Sequence, residues 1–370
     1  MHTPSLLMIL AGFALMLGPL IVLHELGHYG AGRLFGVKAD AFSVGFGREL
    51  IGRTDRRGTR WKLCLFPLGG YVMFAGDLNA ASAPDPAAAQ QPARERAQML
   101  QYKPLWQRAI VIAAGPVVNL LVAVVIFAAF NMAYGRITAT PVIANFSPDS
   151  VARTAGLQLG DTITAINGDA ITSFEQIRDK VLPFPGETIA VQAERGGKPI
   201  RLSITIADHL DRDPLGNTSH IGLLGIAAGK PRIERLGPVD AVTTSFSQTW
   251  NIMRMTGTGL RQIVTGRRSV HDLSGPVKMA KVSGYALSLG WLPFVEFVAF
   301  VSINLAFINL LPIPGLDGGH LVFIAAEAVR RKPVSLRGQE WALRTGIALV
   351  LALMLFVTVN DLLPPRLFGG

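Results

Sequence analysis

Three residues of one pentapeptide, His24-Glu25-Leu26-Gly27-His28, have the types and spacing to hold a metal ion and work beside it. On a helix, positions i and i+4 lie one turn apart on the same face, so both imidazoles can reach a single ion. Glu25, next to the first imidazole, is placed to act as a general base, taking a proton from water that a bound zinc acidifies. The alternative is a chance grouping on an exposed helix. It is weak here because the motif closes an apolar stretch, where unpaired ionisable groups are costly and imply a partner.

A catalytic zinc takes three protein ligands and leaves one position to water. The other histidines are His2, His209, His220, His271 and His320, and acidic residues are scarce near the apolar stretches. The best third ligand is Asp317, in Asn309-Leu-Leu-Pro312-Ile-Pro314-Gly-Leu-Asp317-Gly318-Gly319. Pro312 and Pro314 cannot sit inside a regular helix, and an irregular segment at membrane depth must be buried in protein or line a cavity. Gly318 and Gly319 let the chain approach closely beside the carboxylate. In the alternative reading, Asp317 caps a helix beginning near His320. His320 itself is a weaker candidate for supporting the ligands or facing substrate.

Both ligand segments must be delivered by elements that cross a bilayer. Of the 370 residues, 50% are hydrophobic and 16% charged, and the mean hydropathy of +0.38 is too apolar for an ordinary soluble enzyme. A crossing helix needs roughly 20 apolar residues. Four segments qualify: Pro4 to Leu23, Ala109 to Tyr134, about Phe297 to Leu316, and a shorter one from Thr345 to Asn360. A cleaved signal peptide is the competing reading of the first. No basic residue precedes that run, and His24-Glu25 rather than a small-residue cleavage site follows it. The net charge of +10 could suit nucleic acid, but the basic residues cluster beside apolar runs, so no nucleic-acid partner is expected. The lone Cys64 excludes an intrachain disulfide framework.

Lys and Arg near the span ends set the orientation. Lys38, Arg48, Arg53, Arg56, Arg57, Arg60, Lys62, Lys103 and Arg108 lie between spans one and two; Arg330, Arg331, Lys332 and Arg337 lie between spans three and four. These loops are expected in the cytoplasm and both termini outside. Spans one and three then run in the same direction, and His24 and Asp317 arrive at similar depth near the cytoplasmic side.

Around the basic turn Asp55-Arg-Arg-Gly58, Phe42 to Gly47 and Trp61 to Phe66 alternate as strands do. Residues 79–98, rich in Ala, Pro and Gln, read as a flexible linker. The stretch from Ser150 to Gly168 resembles a PDZ domain, with a Gly160-Asp161 turn into an alternating strand and a hairpin signal at Asn167-Gly168. Val191 to Glu194 and Ile200 to Ile206 make a second hairpin. Ile221-Gly222-Leu-Leu-Gly225-Ile226 looks like a loop whose backbone N–H groups could hold a C-terminal carboxylate, or else an ordinary Gly-containing edge strand. Val242, Phe246, Trp250 and Met253 recur at helical spacing beside Arg254 and Arg261, as in an interfacial helix.

Taken together, His24-x-x-x-His28 with Glu25, Gly115-Pro-Val-Val-Asn119 and the pattern Asn309…Pro312-Ile-Pro314-Gly-Leu-Asp317-Gly resemble the site-2 protease family over almost the whole chain. The PDZ-like insert resembles that of its bacterial RseP-type branch. The resemblance implies zinc (Zn2+) held by His24, His28 and Asp317, with Glu25 as the catalytic base. It implies that Asn309 lies near the substrate or the oxyanion. Asn119 is either a substrate contact or an interhelix hydrogen bond. A membrane-dipping β-loop would pair with an unwound substrate strand, and Gly222 and Gly225 would meet peptide C-termini. Leu273-Ser-Gly-Pro276 also resembles a family segment, without an evident physical role.

The expected fold is a polytopic α-helical membrane protein of about four transmembrane helices. It carries an inserted extracytoplasmic PDZ-like α+β domain and a membrane-associated β-loop. The boundaries read as 1–35 first transmembrane helix with the zinc motif, 36–106 cytoplasmic β-loop and linker, 107–135 second transmembrane helix, and 136–230 PDZ-like domain. An interfacial amphipathic region (231–285) follows, then the third transmembrane helix with the third ligand (286–320), a cytoplasmic connection (321–341) and the fourth transmembrane helix (342–363). The expected function is zinc-dependent endopeptidase cleavage of single-pass membrane proteins, such as a pre-trimmed anti-sigma factor or remnant signal peptides. That is regulated intramembrane proteolysis in a bacterial inner (cytoplasmic) membrane, with the lipid bilayer as surroundings. The competing reading is a catalytically inactive PDZ-bearing membrane scaffold. A metal transporter would need more intramembrane ligands and repeated halves.

Overall fold

The computed structural model describes residues 4–78, 86–212, 218–267, 270 and 273–362. The chain opens with α1 (Leu6–Leu34), β1 (Ala39–Thr54), β2 (Arg60–Phe74), a short α2 (Ala93–Arg96) and α3 (Leu105–Tyr134). An α+β segment follows: β3 (Arg136–Thr138), β4 (Ile143–Phe146), α4 (Val151–Thr154), β5 (Thr162–Ile166), β6 (Asp169–Ala170) and α5 (Phe174–Val181). It continues through β7 (Thr188–Arg195), β8 (Lys198–Thr205), β9 (Ala207–Arg212), β10 (Thr218–Leu223), β11 (Ile226–Ala228) and β12 (Arg232–Glu234). The remainder is helical: α6 (Pro238–Val264), α7 (Pro276–Ser288), α8 (Trp291–Asn309), α9 (Asp317–Arg330) and α10 (Leu336–Leu362). Two compact units result, one of residues 127–272 and one of the segments on either side of it.

Helices α1, α3, α8 and α10 are long and apolar enough to cross a membrane. α1 runs unbroken through His24 and His28. α8 stops at Asn309, short of the expected Leu316, because Pro312 and Pro314 follow within five residues. α10 begins well before the expected Thr345. Its first turns carry Arg337, Glu340 and Arg344, charges that an apolar window excludes but a helix accommodates, with Arg344 paired to Glu340 at 2.6 Å.

α7 packs tightly on α1. A Cβ at Gly12 would lie 2.9 Å from the Ser283 carbonyl carbon, and one at Gly284 would lie 2.7 Å from Ile9 Cα. The segment Leu273-Ser-Gly-Pro276 gains a role here: it starts α7, and the buried Asp361 carboxylate near the end of α10 accepts from Gly275 N (3.1 Å) and Lys278 N (2.9 Å). An acceptor at a helix N-terminus satisfies donors that the helix leaves unpaired.

β1 and β2 form an antiparallel pair in which each strand is bent. Residues 41–44 pair with 70–73 on one side and with 60–63 on the other, while 51–54 pair with 60–63. Gly45 and Gly47, at φ +90° and +87°, make the bend. Val37, Ala39, Phe42, Val72 and Phe74 bury the base of this hairpin together with Val111 of α3. Its distal half leaves Phe46, Leu50, Ile51, Leu63, Leu65 and Phe66 exposed. Part of the expected linker, 79–85, lies outside the described residues; beyond it, residues 86–102 make short helical turns, and Lys38 N donates to Gln98 O at 2.9 Å.

In the second unit β6-β5-β7-β8 form one sheet, with α4 and α5 contributing Ala152, Ile177 and Val181 to its core. Asn167 and Gly168, at φ +52° and +87°, make the tight β5–β6 turn that their types suggest. The Asp161 carboxylate, in the turn before β5, accepts from Arg195 Nε (2.8 Å) and Nη2 (2.7 Å) and from Gln158 N (2.8 Å).

Candidate metal centre

α1 delivers His24 and His28, and the irregular segment after α8 delivers Asp317 as the first residue of α9. The N-cap of α9 is Leu316, so the Asp317 side chain does not cap that helix. It faces the imidazoles instead: Asp317 Oδ2 lies 3.2 Å from His24 Nε2 and 3.5 Å from His28 Nε2. The two Nε2 atoms are 3.2 Å apart. All three side chains are largely buried, at 10%, 12% and 19% exposure. Among the described residues this is the one group of three His, Cys, Asp or Glu side chains close enough to hold an ion.

These donors suit zinc in type and in spacing. Bonds of about 2.0–2.1 Å in a tetrahedron place neighbouring ligand atoms roughly 3.3–3.4 Å apart. The edges of this triangle, 3.2, 3.2 and 3.5 Å, match one face of such a tetrahedron.

The far nitrogens of both rings are held by α3. His28 Nδ1–H donates to the Val111 carbonyl at 2.9 Å, so its Nε2 keeps a free lone pair. Asn119 Nδ2 lies 3.2 Å from His24 Nδ1, and in that orientation Asn119 Oδ1 is buried without a hydrogen bond. Turning the amide lets Oδ1 accept from His24 Nδ1–H, which satisfies the orphaned oxygen and leaves His24 Nε2 free for metal. The Ser302 hydroxyl of α8 donates to the Asn119 carbonyl at 2.8 Å and ties α3 in place. Asn119 is fully buried. Its side chain makes an interhelix contact with the His24 ring.

Gly115 lies between these two contacts. A Cβ there would collide with the Nε2 atoms of both imidazoles. Likewise, a Cβ at Gly27 would lie 2.9 Å from the Ala114 carbonyl carbon, so the glycine inside the pentapeptide lets α1 seat against α3. Gly318 sits against the Leu310 and Leu311 carbonyls, which no other residue type could do.

Glu25 is held from the other side by β2. Val72 N–H donates to it, and a Cβ at Gly70 would lie 3.0 Å from Glu25 Cγ. His320, one turn along α9, stands edge-on to Phe323. Asn309 is the last residue of α8 and is half-buried. Gly222 and Gly225 belong to the other unit. Gly222 does not offer a free donor to a carboxylate, because its N–H donates to Leu182 O at 2.9 Å inside the domain. Gly225 adopts φ +70° in a spot where a Cβ would lie 2.6 Å from Ser150 Cα.

The sequence matches the model of peptidase family M50 across residues 12–353. It is 42% identical over 355 residues to a protein of Agrobacterium fabrum named "Putative zinc metalloprotease Atu1380", covering 95% of this chain and 94% of that one. It is 33% identical over 381 residues to "Metalloprotease MmpA" of Caulobacter vibrioides, with 96% of each chain covered. Among solved structures, a PDZ domain of the SdrC-like protein of Listeria monocytogenes covers 25% of this chain and 92% of its own at 24% identity and a TM-score of 0.19.

Proposed function

The chain belongs to peptidase family M50, and from that premise we propose that it is a zinc-dependent endopeptidase acting on membrane-embedded substrates. His24, His28 and Asp317 hold the ion, and Glu25 is the base. The observation that carries this reading is the meeting of three ligand atoms from residues almost 300 positions apart, with both imidazole Nδ1 atoms already engaged by α3. Zinc bound there supplies Lewis acidity that polarises a peptide carbonyl and makes water easier to deprotonate. Glu25 takes a proton from the attacking water and passes it to the departing amine nitrogen as the C–N bond breaks. The water oxygen ends in the new carboxylate. Val72 N–H and the bare Cα of Gly70 fix where the Glu25 carboxylate stands.

A scissile bond in a helix is inaccessible until the helix unwinds, and unwound backbone in a dry site needs hydrogen-bond partners. Residues 70–73 of β2 form the flank of the hairpin beside Glu25, which supports substrate binding as an added strand there. The exposed apolar side chains of the hairpin's distal half support its association with the membrane.

The basic residues between α1 and α3 and between α9 and α10 favour a cytoplasmic location for those loops, with both termini and the α+β unit outside. In a bacterium this is the inner membrane, and the substrates are single-pass proteins or remnant signal peptides, in regulated intramembrane proteolysis. The α+β unit would meet peptide C-termini or exclude bulky ectodomains. α6 supports the placement. Its buried face carries Ala241, Ser245, Thr249 and Gln262, while Val239, Val242, Phe246 and Trp250 face outward. Asn131, in the last turns of α3, donates to Ser245 Oγ (3.0 Å) and Gln248 Oε1 (3.1 Å). The outward Thr243 and Ser247 hydroxyls donate to the Val239 and Thr243 carbonyls. The N-terminal half of this outward face, apolar and with its hydroxyls satisfied, suits lipid, and the exposed Arg254 and Arg261 further along suit the polar side of an interface.

The test is Glu25→Gln. This variant should retain zinc at the wild-type ratio and lose cleavage of a membrane peptide, and chelation of the wild type should abolish cleavage until zinc is returned. Cleavage surviving in Glu25→Gln would refute the mechanism.

A further inference from the structure

α9 begins with the third ligand yet buries little of its own surface. Gly318, Gly319 and Ile324 are its buried residues, and Val322 and Val329 are exposed. Its first turn is fixed by the glycines pressed against the carbonyls of 310–313. At the other end, Glu327 Oε2 lies 3.0 Å from Arg108 Nη1 in the first turn of α3, with side chains 21% and 19% exposed. Ten residues, about 15 Å of helix, separate Asp317 from Glu327.

Arg108 stands on a particular face of α3. Arg108, Val111, Gly115 and Asn119 recur at spacings of three and four and form one stripe. Three members of that stripe act on the imidazoles: the Val111 carbonyl on His28, the Asn119 amide on His24, and Gly115 as the gap that admits both Nε2 atoms. The fourth reaches the helix that bears the carboxylate.

We propose that the Arg108–Glu327 ion pair is a positioning device that sets α9, and so Asp317, against the imidazoles, making α3 the common template for all three ligands. This rests on the reading of His24, His28 and Asp317 as a zinc site. Metal ligation tolerates displacements of only about 0.2 Å, so a ligand on a sparsely buried helix needs its distal end held. A fully solvated ion pair would contribute little. This one is largely shielded, and removing one partner strands the other charge.

The experiment uses the full-length protein in detergent: wild type, Arg108→Glu, Glu327→Arg, the two combined, and Arg108→Lys. Three properties are read: zinc release to a chelator, the visible spectrum of the cobalt-substituted protein, and hydrogen exchange of the α9 amides. Each single reversal should speed zinc release about 10–100-fold, shift the cobalt bands and deprotect α9. Both Arg108→Lys, which keeps the charge, and the double reversal should restore all three towards wild type. Should one reversal misfold, the other still decides, since a double reversal that releases zinc as fast as the folded single reversal would overturn the proposal. Deprotected α9 with unchanged zinc release and cobalt bands would reduce the pair to general stability and overturn the proposal. A wild type that holds no zinc would sink the metal-site reading and this proposal with it, a result distinct from an Arg108→Glu variant that holds zinc as wild type does.

Discussion

His24 Nδ1 and the Asn119 side-chain amide lie 3.2 Å apart in the buried contact between α1 and α3, and with the amide turned so that Oδ1 accepts, that contact leaves His24 Nε2 for a metal. Asn119→Ala removes the hydrogen-bond partner of that nitrogen. It should weaken zinc affinity about 10–100-fold, and Asn119→Asp, which keeps an acceptor oxygen, should lose less. Chelator competition on the purified protein measures both. Zinc held equally tightly by Asn119→Ala and wild type would show that Asn119 does not orient the ring.

Gly115 is the point where α3 presses on both imidazoles. Gly115→Ala places a methyl group against both Nε2 atoms and must displace α1 or the rings. Overpacking of this kind costs about 1–3 kcal/mol, and here it should also empty the metal site. Gly18→Ala on the same helix as the histidines meets nothing within 4 Å and serves as the control. Zinc per protein and thermal midpoint, taken side by side, check the pair. A zinc-replete Gly115→Ala would contradict the geometry.

The α+β unit carries its own pH dependence. The Arg195 guanidinium donates to the buried Asp161 carboxylate and, with a further bond from Gln158 N, holds its pKa below the usual carboxylate range. A depressed folded-state pKa adds stability that is fully present above the unfolded value of about 3.9 and is lost as the pH falls through the folded value. Hydrogen exchange of the β5 amides in the whole protein should therefore show protection decaying below about pH 4, with Arg195→Ala less protected at neutral pH and flatter in acid. Identical acid profiles would remove Asp161 as the cause.

The outward face of α6 predicts where lipid lies. A nitroxide at Phe246→Cys, in a Cys64→Ala background reconstituted in vesicles, should meet dissolved oxygen more often than an aqueous nickel chelate. A label at Lys198→Cys, on an exposed strand position, should show the reverse. Preferential contact of the Phe246 label with nickel would place this face in water.

Much of the site was legible because its chemistry is local. An i, i+4 pair of imidazoles with an adjacent carboxylate is a property of helical spacing, and the proline pair before Asp317 announces a broken helix whatever surrounds it. The apolar spans were equally visible, since length and composition suffice to mark them. Their ends were not: α10 extends back over Arg337, Glu340 and Arg344 because an exposed helical turn can carry charge.

Other features depended on which surfaces meet. Asn119 could be read from sequence as a substrate contact or an interhelix bond, and only the fold brings it to His24. Val111 left no trace, because the group it contributes is a backbone carbonyl that every residue possesses. Asp361 lies far from Gly275 in sequence, and no periodicity links a carboxylate to a distant helix N-terminus. The Gly222 amide looked available until its partner, Leu182 O, came into view. Residue type and spacing thus determined which groups can bind a metal. Contacts between distant segments decided which groups the two imidazoles and Glu25 meet and where each helix stands, because those depend on hydrogen bonds and close packing that exist only once the chain has folded.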